Sequence, residues 1–233
     1  MFKERATKPE RIDTGDYTPE EYATFLREIR FINQRLGDRA ALEATLLADI
    51  VQRDQKEFSV LDVGAGTGEL LGVIADFAAA QGRSVQLVGL DINELSVKEI
   101  VAEAARHPKI APVMGDAMNL PFADKSFEYT ICSLFTHHLA NENIPRVLTE
   151  MSRVTRSGIV VIDLERSITA WFLYQIFCLV YRISPLVRQD GSLSIRKGFT
   201  SEELVQFGQE TGLTRLFVER HPPYRVVMTT FER

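Results

Sequence analysis

The stretch that decides the fold runs from Val60 to Leu70 and reads VLDVGAGTGEL. An apolar run typical of a buried strand enters a turn with glycine at three alternate positions, Gly64, Gly66 and Gly68, and a helical pattern leaves it. Because glycine has no Cβ and readily adopts positive φ, the backbone of such a turn can approach a ligand closely. The free N–H groups that open the following helix point toward the same place. The stretch therefore predicts a site for a nucleotide-like cofactor.

The positions of the glycines in this turn limit the kinds of cofactor that it can bind. Dinucleotide sites use the pattern G-x-G-x-x-G, and here Glu69 stands where the third glycine would be. The phosphate-binding pattern G-x-x-x-x-G-K-[ST] is absent from the sequence. The turn therefore argues against a bound pyrophosphate. Taken alone, it is also compatible with a tight strand-to-helix turn that binds nothing.

Two further strand-to-loop transitions carry acidic side chains. A second predicted strand, Ser84 to Leu90, ends at Asp91, where a carboxylate can accept both hydrogen bonds of a ribose diol. The alternative role of Asp91 is to cap the next helix, which has Asn93 as its predicted N-cap. A third predicted strand, Ile110 to Met114, is followed by the loop GDAMNLPF over residues 115–122. The glycine turn one unit earlier favours the ribose role for Asp91.

The patterns D-x-G-x-G-x-G over residues 62–68 and G-D-A-x-x-L-P-F over residues 115–122 resemble those of the class I S-adenosylmethionine-dependent methyltransferases. The resemblance covers about residues 55–165 and implies an enzyme with S-adenosyl-L-methionine as its cofactor. It implies that Asp116 meets the adenine amine and that the N–H of Ala117 meets a ring nitrogen. The cofactor contacts that it implies are Asp62, Gly64, Ala65, Gly66, Gly68, Asp91, Ile92, Asp116, Ala117 and Leu134.

The order of predicted elements indicates the fold class. A fourth strand, Phe127 to Ser133, and a fifth, Gly158 to Asp163, are separated by a helical pattern. Two final strands are predicted at Leu213 to Glu219 and Tyr224 to Phe231. Alternating strands and helices predict an α/β fold with a doubly wound, mostly parallel, seven-stranded Rossmann-like sheet.

Capping signals mark helices near both ends of the chain. The run TPEE from Thr18 is a capping box with proline at the first helical position, and Gly37 is the predicted end of that helix. A second helix should follow over Leu42 to Ile50. The run FTSEEL from Phe199 is another capping box, and it is similar to the ubiquinone-methylase-like branch of small-molecule methyltransferases. We expect one domain over 1–233, made of N-terminal helices (1–54), a cofactor-binding core (55–165), a helical cap insertion (166–198) and a C-terminal helix with strands (199–233).

Composition limits the class of partner and the compartment. The chain has 233 residues, 45% of them hydrophobic, and a formal net charge of -5, so it has no basic field to attract nucleic acid. No apolar signal segment opens the sequence, and Cys132 and Cys178 lie in apolar runs typical of reduced core cysteines. We expect a cytoplasmic enzyme of a small-molecule substrate, with no nucleic-acid partner and no integral membrane segment.

The segment from Ser167 to Arg188 is apolar nearly all round, and such a helix must be covered by something. It is too short and too interrupted by polar residues for a membrane span. It begins at the carboxyl end of a strand, where ligands of open α/β sheets bind. It predicts either a cap over the substrate pocket, with Trp171, Phe172 and Phe177 in its lining, or packing in the core, in a homodimer or on a lipid surface.

The histidine pair after the fourth strand supplies candidate catalytic residues. His137 and His138 have an ordinary pKa near 6.5, which suits a base that removes a hydroxyl proton at neutral pH. The alternative is that the pair only packs or contacts the cofactor. His107 and His221 are not spaced as metal ligands with the pair, so we expect no metal.

The sequence predicts O-methylation of a hydrophobic hydroxylated molecule, such as a phenol or polyketide of secondary metabolism. Carbon methylation of a quinone or lipid precursor is the alternative within the same class. A nicotinamide-dependent oxidoreductase is disfavoured by Glu69. A non-catalytic protein that binds the cofactor remains open.

Overall fold

The computed structural model describes residues 2–213 and 215–231, and within them a single seven-stranded sheet lies between layers of helices. The strands are β1 (Glu57–Val63), β2 (Ser84–Asp91), β3 (Ile110–Met114), β4 (Phe127–Ser133), β5 (Thr155–Leu164), β6 (Phe217–His221) and β7 (Arg225–Thr229). The helices are α1 (Arg11–Thr14), α2 (Pro19–Asn33), α3 (Asp38–Leu42), α4 (Ala48–Gln52), α5 (Glu69–Ala80), α6 (Glu94–Arg106), α7 (Ile144–Val154), α8 (Ile168–Tyr181), α9 (Pro185–Lys197) and α10 (Ser201–Glu210).

The strand order is β3-β2-β1-β4-β5-β7-β6, and β7 runs antiparallel to both of its neighbours, β5 and β6. In the centre, Val60 of β1 pairs with Leu87 of β2 on one side and with Tyr129 of β4 on the other. The order reverses direction at β1, so the turns after β1 and β4 open into the crevice where ligands of such sheets bind. The predicted α/β, mostly parallel, seven-stranded sheet is confirmed.

The central strands are apolar on both faces because helices cover both sides of the sheet. Val60 packs in one core with α5 and the α3–α4 region, while the next residue, Leu61, packs in a second core with α7 and α10. Adjacent residues of a strand point to opposite faces, so each strand serves both cores. Cys132 and Cys178 are both buried free thiols.

The N-terminal helices differ from expectation in their boundaries. The capping box is present, with the hydroxyl of Thr18 accepting from the N–H of Glu21, but α2 ends at Asn33 rather than at Gly37. Gly37 instead precedes α3 with φ +100, and a Cβ there would lie 2.6 Å from Cδ of Pro223. The second predicted helix is interrupted by a π-helical turn over Glu43–Leu47.

The last two strands are also shorter than the sequence pattern suggested. The sixth strand begins at Phe217 rather than at Leu213, and Thr214, which fell inside the predicted strand, lies outside the described residues. The seventh strand covers Arg225–Thr229, within the predicted range.

The predicted cap insertion forms two helices. α8 and α9 pack on each other and, with α2, enclose a third apolar cluster that includes Ile32, Tyr174 and Val187. None of the helices in residues 2–213 and 215–231 has the length and apolar character needed to cross a bilayer.

Candidate active site

A cleft of about 1150 Å³ lies at the carboxyl ends of β1, β2, β3 and β4. One wall comes from the turns that follow these strands, including residues 64–67, 91–93 and 115–118. The opposite wall comes from α2, α8 and α9, which lie far from these turns in the sequence. The cleft therefore has one side built from the sheet and another built from the outer helices.

The glycine turn after β1 requires the left-handed backbone that glycine allows. Gly64, Gly66 and Gly68 have φ of +73°, +55° and +70°. A Cβ on Gly64 would lie 2.5 Å from the ring of Phe135, whereas a Cβ on Gly66 would project into space with no heavy atom within 4 Å. Gly66 therefore leaves bare backbone facing open space, as a ligand-binding turn requires.

Asp91 joins the turns after β1 and β2. Its Oδ2 accepts a 2.9 Å hydrogen bond from the N–H of Gly66, and its Oδ1 accepts one of 2.9 Å from the N–H of Asn93. Burial raises the pKa of Asp91, while these backbone donors oppose the shift. The side chain of Asn93 in turn caps α6 by accepting from the N–H of Leu95 at 2.8 Å. Asp91 thus holds the turns together and still lines the cleft.

Asp62, at the end of β1, is buried and lines the same cleft. Its Oδ1 has no hydrogen-bond partner among the described residues. Burial raises the pKa of Asp62 to about 8, with a smaller contribution from the nearby Asp91 carboxylate. A buried carboxyl oxygen without a partner is costly, and it leaves a hydrogen-bonding position open to a ligand.

Asp116 and Ala117 lie where the third strand opens into the cleft. Oδ1 of Asp116 accepts a 2.8 Å hydrogen bond from the N–H of Met118, which fixes the loop. Nine of the ten residues expected to contact a cofactor line the cleft: Asp62, Gly64, Ala65, Gly66, Asp91, Ile92, Asp116, Ala117 and Leu134.

Gly68 is the exception, because it does not line the cleft. It is buried at the start of α5, and a Cβ there would lie 3.5 Å from Cα of Ile100 on α6. Its role in the structure is to begin the helix in a left-handed conformation, behind the cleft wall.

His137 forms a buried pair with Asp163 at the end of β5. Nδ1 of His137 lies 2.7 Å from Oδ1 of Asp163, and the N–H of His137 donates to Oδ2 at 3.1 Å. The hydroxyl of Thr136 and the N–H of Leu164 also donate to this carboxylate. Burial opposes the charge on Asp163, but His137 and these donors lower its pKa to about 2. Asp163 is therefore a fixed anion that holds the proton of His137 on Nδ1 and leaves Nε2 to act as an acceptor.

His138 lies in a second group of charged side chains, with Asp13 and Glu10. Its ring lies 4.2 Å from that of His137, centroid to centroid, and its Nδ1 lies 3.0 Å from a carboxylate oxygen of Asp13. Burial lowers the pKa of His138, but Asp13 and Glu10 outweigh it, so the net shift is upward. The pKa of Asp13 is lowered in the same contact. The contact with Asp13 therefore favours the protonated, charged form of His138.

The N-terminal segment closes over the histidines. Oε1 of Glu10 is buried, 4.0 Å from Nε2 of His137 and 3.1 Å from Nζ of Lys197. Arg5 donates to the carbonyl oxygens of His137 and Lys197 at 3.0 and 2.7 Å. The sequence pattern gave no sign of this arrangement, because Glu10 and Arg5 lie more than 120 residues from the histidines that they contact.

Glu10, His137 and His138 also have the side-chain types of a metal site, with one ligand atom of each lying within 4.8 Å of the others. The expectation of no metal weighed only the histidine spacing and did not consider Glu10. The ammonium of Lys197 already pairs with this carboxylate, and Nδ1 of His138 already faces Asp13. Within the described residues, the positive charge of Lys197 therefore lies beside Glu10, His137 and His138.

The outer wall of the cleft is mostly apolar. It includes Phe25 and Leu26 of α2 together with Leu173, Tyr174 and Phe177 of α8. The hydroxyl of Tyr174 donates to the carbonyl of Val187 at 2.9 Å, which fixes α8 against α9.

Only one of the three aromatic residues expected in the pocket lines it. Phe177 does so, but Trp171 packs beside the apolar cluster between α2 and α8, and Phe172 is 59% exposed. These two side chains lie outside the cleft because the segment is a regular helix, and its turns carry Trp171 and Phe172 away from the cleft. The sequence interpretation missed Tyr174, which a helical projection of the segment could have indicated.

Comparison with known proteins identifies a matching family and relatives that are similar in sequence or in fold. A family model described as a methyltransferase domain matches residues 60–158. The demethylmenaquinone methyltransferase of Bacillus licheniformis is 33% identical over 172 residues, which cover 70% of this chain and 70% of that protein.

Two solved structures share the fold. The plantazolicin methyltransferase BamL, solved with a desmethyl analogue and SAH, aligns with a TM-score of 0.64 and 17% identity, over 87% of this chain and 73% of its own. A SAM-dependent methyltransferase from Aquifex aeolicus aligns with a TM-score of 0.59 and 16% identity, over 87% of this chain and 96% of its own.

Proposed function

Because this chain belongs to the class I S-adenosylmethionine-dependent methyltransferases, we propose that it methylates a hydroxyl oxygen of a small, largely apolar molecule, with His137 as the base. The observation that carries the proposal is the His137–Asp163 pair at the cleft wall, in which Nδ1 of His137 lies 2.7 Å from the buried carboxylate of Asp163. A bound S-adenosylmethionine supplies an electrophilic methyl group on a sulfonium.

The sheet side of the cleft fits the cofactor. The unpartnered Oδ1 of Asp62 suits the positively charged amino-acid end, and the bare backbone at Gly66 allows close approach. Asp91 would hold the ribose diol, because each carboxylate oxygen can accept a further hydrogen bond beyond its backbone donor. Asp116 and the N–H of Ala117 would hold the adenine.

Methylation of a hydroxyl oxygen requires loss of the hydroxyl proton, and His137 is our candidate for the base that accepts it. With Nδ1–H held by Asp163, the lone pair on Nε2 can accept a proton from a hydroxyl in the cleft. The protonated ring would then lie between two carboxylates, Asp163 at 2.7 Å and Glu10 at 4.0 Å, which stabilise its charge. Asp163 acts here as a positioning residue that fixes the tautomer and orientation of the ring.

The outer wall supports an apolar acceptor. Phe25, Leu26 and Phe177 offer an aromatic and aliphatic surface, which favours a hydrophobic ring or chain and excludes water from the reacting atoms. A nicotinamide dinucleotide is disfavoured because Glu69 lines the cleft at the position where the fingerprint requires a glycine.

The second candidate is carbon methylation of a quinol, which the name of the Bacillus licheniformis relative favours. Removal of a hydroxyl proton by His137 would serve that reaction too, because it raises the electron density of the ring carbon. The two candidates differ in the product, since the new methyl group is bonded to oxygen in one and to carbon in the other.

The test is turnover with S-adenosylmethionine labelled with ¹³C at the methyl group and a panel of alkyl phenols, polyketide-like enols and naphthoquinols. The position of the labelled methyl in the NMR spectrum separates an O-methyl product from a C-methyl product.

His137→Gln should lower kcat by about 10²–10⁴-fold, the usual contribution of a general base, with little change in affinity for S-adenosylhomocysteine. His221→Gln, at the edge strand β6, is the matched control and should leave kcat unchanged. An unchanged kcat in His137→Gln would overturn the role of the dyad, and tight cofactor binding with no turnover on any acceptor would favour a binding protein.

A further inference from the structure

Exposed apolar side chains are concentrated on one helix. Among residues 2–213 and 215–231, thirteen large apolar side chains are more than a third exposed, and seven of them lie on α8. We call these seven the α8 stripe: Ile168, Phe172, Leu173, Ile176, Leu179, Val180 and Tyr181. A contiguous exposed apolar surface of this kind is unusual for a monomeric soluble protein and marks an interaction site.

Six of the seven stripe residues lie on one broad side of α8, whereas Tyr181, at the C-terminal end of the helix, packs against Phe31 and Phe177. Ile168, Phe172 and Ile176 are spaced by four residues and Leu179 follows by three, which places them on a common face. Leu179 is 74% exposed and Phe172 59%. The opposite face, with Ala170, Tyr174 and Cys178, is buried. The helix contains no charged residue between 168 and 181, so nothing on it opposes transfer of the stripe into an apolar medium.

The stripe is continuous with the cleft. Leu173 belongs both to the stripe and to the lining, and Phe177, one turn further on, also lines the cleft. An apolar molecule could therefore pass from whatever covers α8 to the cleft without crossing a charged surface.

Arginines lie beside the middle and the C-terminal end of the stripe. Arg182 follows the last residue of α8, and Arg188 donates to the side-chain oxygen of Gln175 at 2.9 Å. Arg35 lies 3.7 Å from the ring of Phe31, which in turn contacts Tyr181. All three arginines are exposed.

An acidic side chain near this end of α8 is already engaged. Glu28 accepts from the N–H and the hydroxyl of Ser184, so its carboxylate is turned toward the start of α9. An apolar face beside exposed guanidinium groups is complementary to a surface that is apolar inside and negatively charged at its boundary.

We propose that α8 docks on an anionic bilayer surface, with the stripe at the level of the acyl chains and the three arginines at the level of the phosphates. Amphipathic helices bind in the interface through buried apolar area together with attraction to anionic lipids. The cleft then opens beside the membrane, and a lipid-dissolved acceptor reaches it past Leu173 and Phe177. The docking itself does not depend on which acceptor is methylated.

The experiment is flotation of the full chain with vesicles of equimolar phosphatidylcholine and phosphatidylglycerol, beside vesicles of phosphatidylcholine alone. The protein should float with the anionic vesicles, bind the neutral ones more weakly, and be partly released by high salt. Trp171, the single tryptophan of the chain, lies on α8 itself, so lipids with brominated acyl chains should quench its fluorescence when the helix docks.

Substitutions distinguish the contribution of the α8 stripe to vesicle binding from that of other exposed apolar residues. Leu179→Glu and Phe172→Glu should each weaken vesicle binding roughly tenfold or more, because a charge would have to enter the apolar boundary. Val101→Glu, which changes a half-exposed apolar residue of α6, is the matched control and should bind vesicles like the parent. Arg182→Gln should weaken binding only to the anionic vesicles. Melting temperature and affinity for S-adenosylhomocysteine should be unchanged in all four variants.

Three outcomes would overturn the proposal. One is absence of flotation by the parent, and another is equal loss of binding in Val101→Glu. The third is a parent that sediments as a dimer which Leu179→Glu dissociates, without any vesicle binding, because the stripe would then be an interface between two copies. Methyl transfer to a short-chain, water-soluble acceptor is measured separately. Its failure beside normal flotation would count against the proposed function alone.

Discussion

The main-chain N–H of Gly66 donates a 2.9 Å hydrogen bond to Oδ2 of Asp91, which joins the turns that follow the two neighbouring strands β1 and β2. Asp91 therefore shapes the glycine turn before any ligand arrives. Loss of this carboxylate should affect the turn and the ribose subsite together.

Asp91→Ala should weaken binding of S-adenosylhomocysteine by about 1.5–3 kcal/mol, the usual contribution of hydrogen bonds to a charged group. Calorimetric titration measures this directly. Glu94→Ala, three residues further on and exposed, is the control and should bind like the parent. An unchanged dissociation constant in a stably folded Asp91→Ala would reduce Asp91 to a capping and turn residue.

Gly66→Val should abolish cofactor binding and leave a folded protein. The new side chain would fill open space in the cleft, at a backbone φ of +55° that valine tolerates poorly. Gly82→Val is a close match, because Gly82 has φ +60° and equally open surroundings but lies in the turn after α5, away from the cleft. If both variants lose stability equally and both keep the cofactor, the space at Gly66 is not a binding surface.

Asp62 should make the stability of the unliganded protein depend on pH. Burial raises its pKa from 3.8 to about 8, so between these values the unfolded chain has lost a proton that the folded protein retains. The free energy of unfolding should therefore fall as pH rises from about 4 to 8, by up to about 1.4 kcal/mol per unit from this group, and level off above 8.

Urea denaturation of the parent and of Asp62→Asn between pH 5 and 9 checks the contribution of Asp62. The parent should lose stability relative to Asp62→Asn across this range up to about pH 8. The same experiment with the exposed Asp76→Asn should give a flat difference. A flat difference for Asp62→Asn as well would mean that Asp62 is charged throughout in the folded protein.

Phe177→Ala should raise KM for an apolar acceptor several-fold and leave the affinity for S-adenosylhomocysteine unchanged. Phe177 lines the cleft and its ring lies 4.6 Å from that of Tyr181, so its loss opens the outer wall. Phe172→Ala on the exposed side of the same helix, assayed with a water-soluble acceptor in the absence of lipid, should leave KM unchanged. Equal effects of the two variants would show that α8 acts through its overall packing.

The sheet could be predicted from the sequence because its determinants are local. The strands from Ser84, Ile110 and Phe127 begin where their apolar runs begin, and the glycine turn after β1 follows from three residues of one type. Such signals need only a few neighbouring residues and the alternation of a strand. The boundaries that failed, at Asn33 and Phe217, depend on tertiary packing, as in the close approach of Gly37 to Pro223.

The candidate site also contains some residues that could be placed from the sequence and others that could not. Asp62, Asp91 and Asp116 could be placed because each lies within two residues of the end of a strand, and parallel strands bring such ends together. The pairing of Asp163 with His137 and the approach of Glu10 to Lys197 could not, since they join residues 26 and 187 positions apart. Periodicity carries no information on which distant charges meet when the chain is folded.

Most of the sheet wall of the cleft comes from one stretch, residues 62–139, whereas most of the opposite wall comes from residues 10–36 and 164–195. The two walls meet in space but are encoded in separate parts of the gene. Substitution or recombination in the outer segments can therefore change which molecule is accepted without disturbing the donor half. Grafting these two segments between relatives is a practical route to new acceptor specificities, and it offers natural selection the same route.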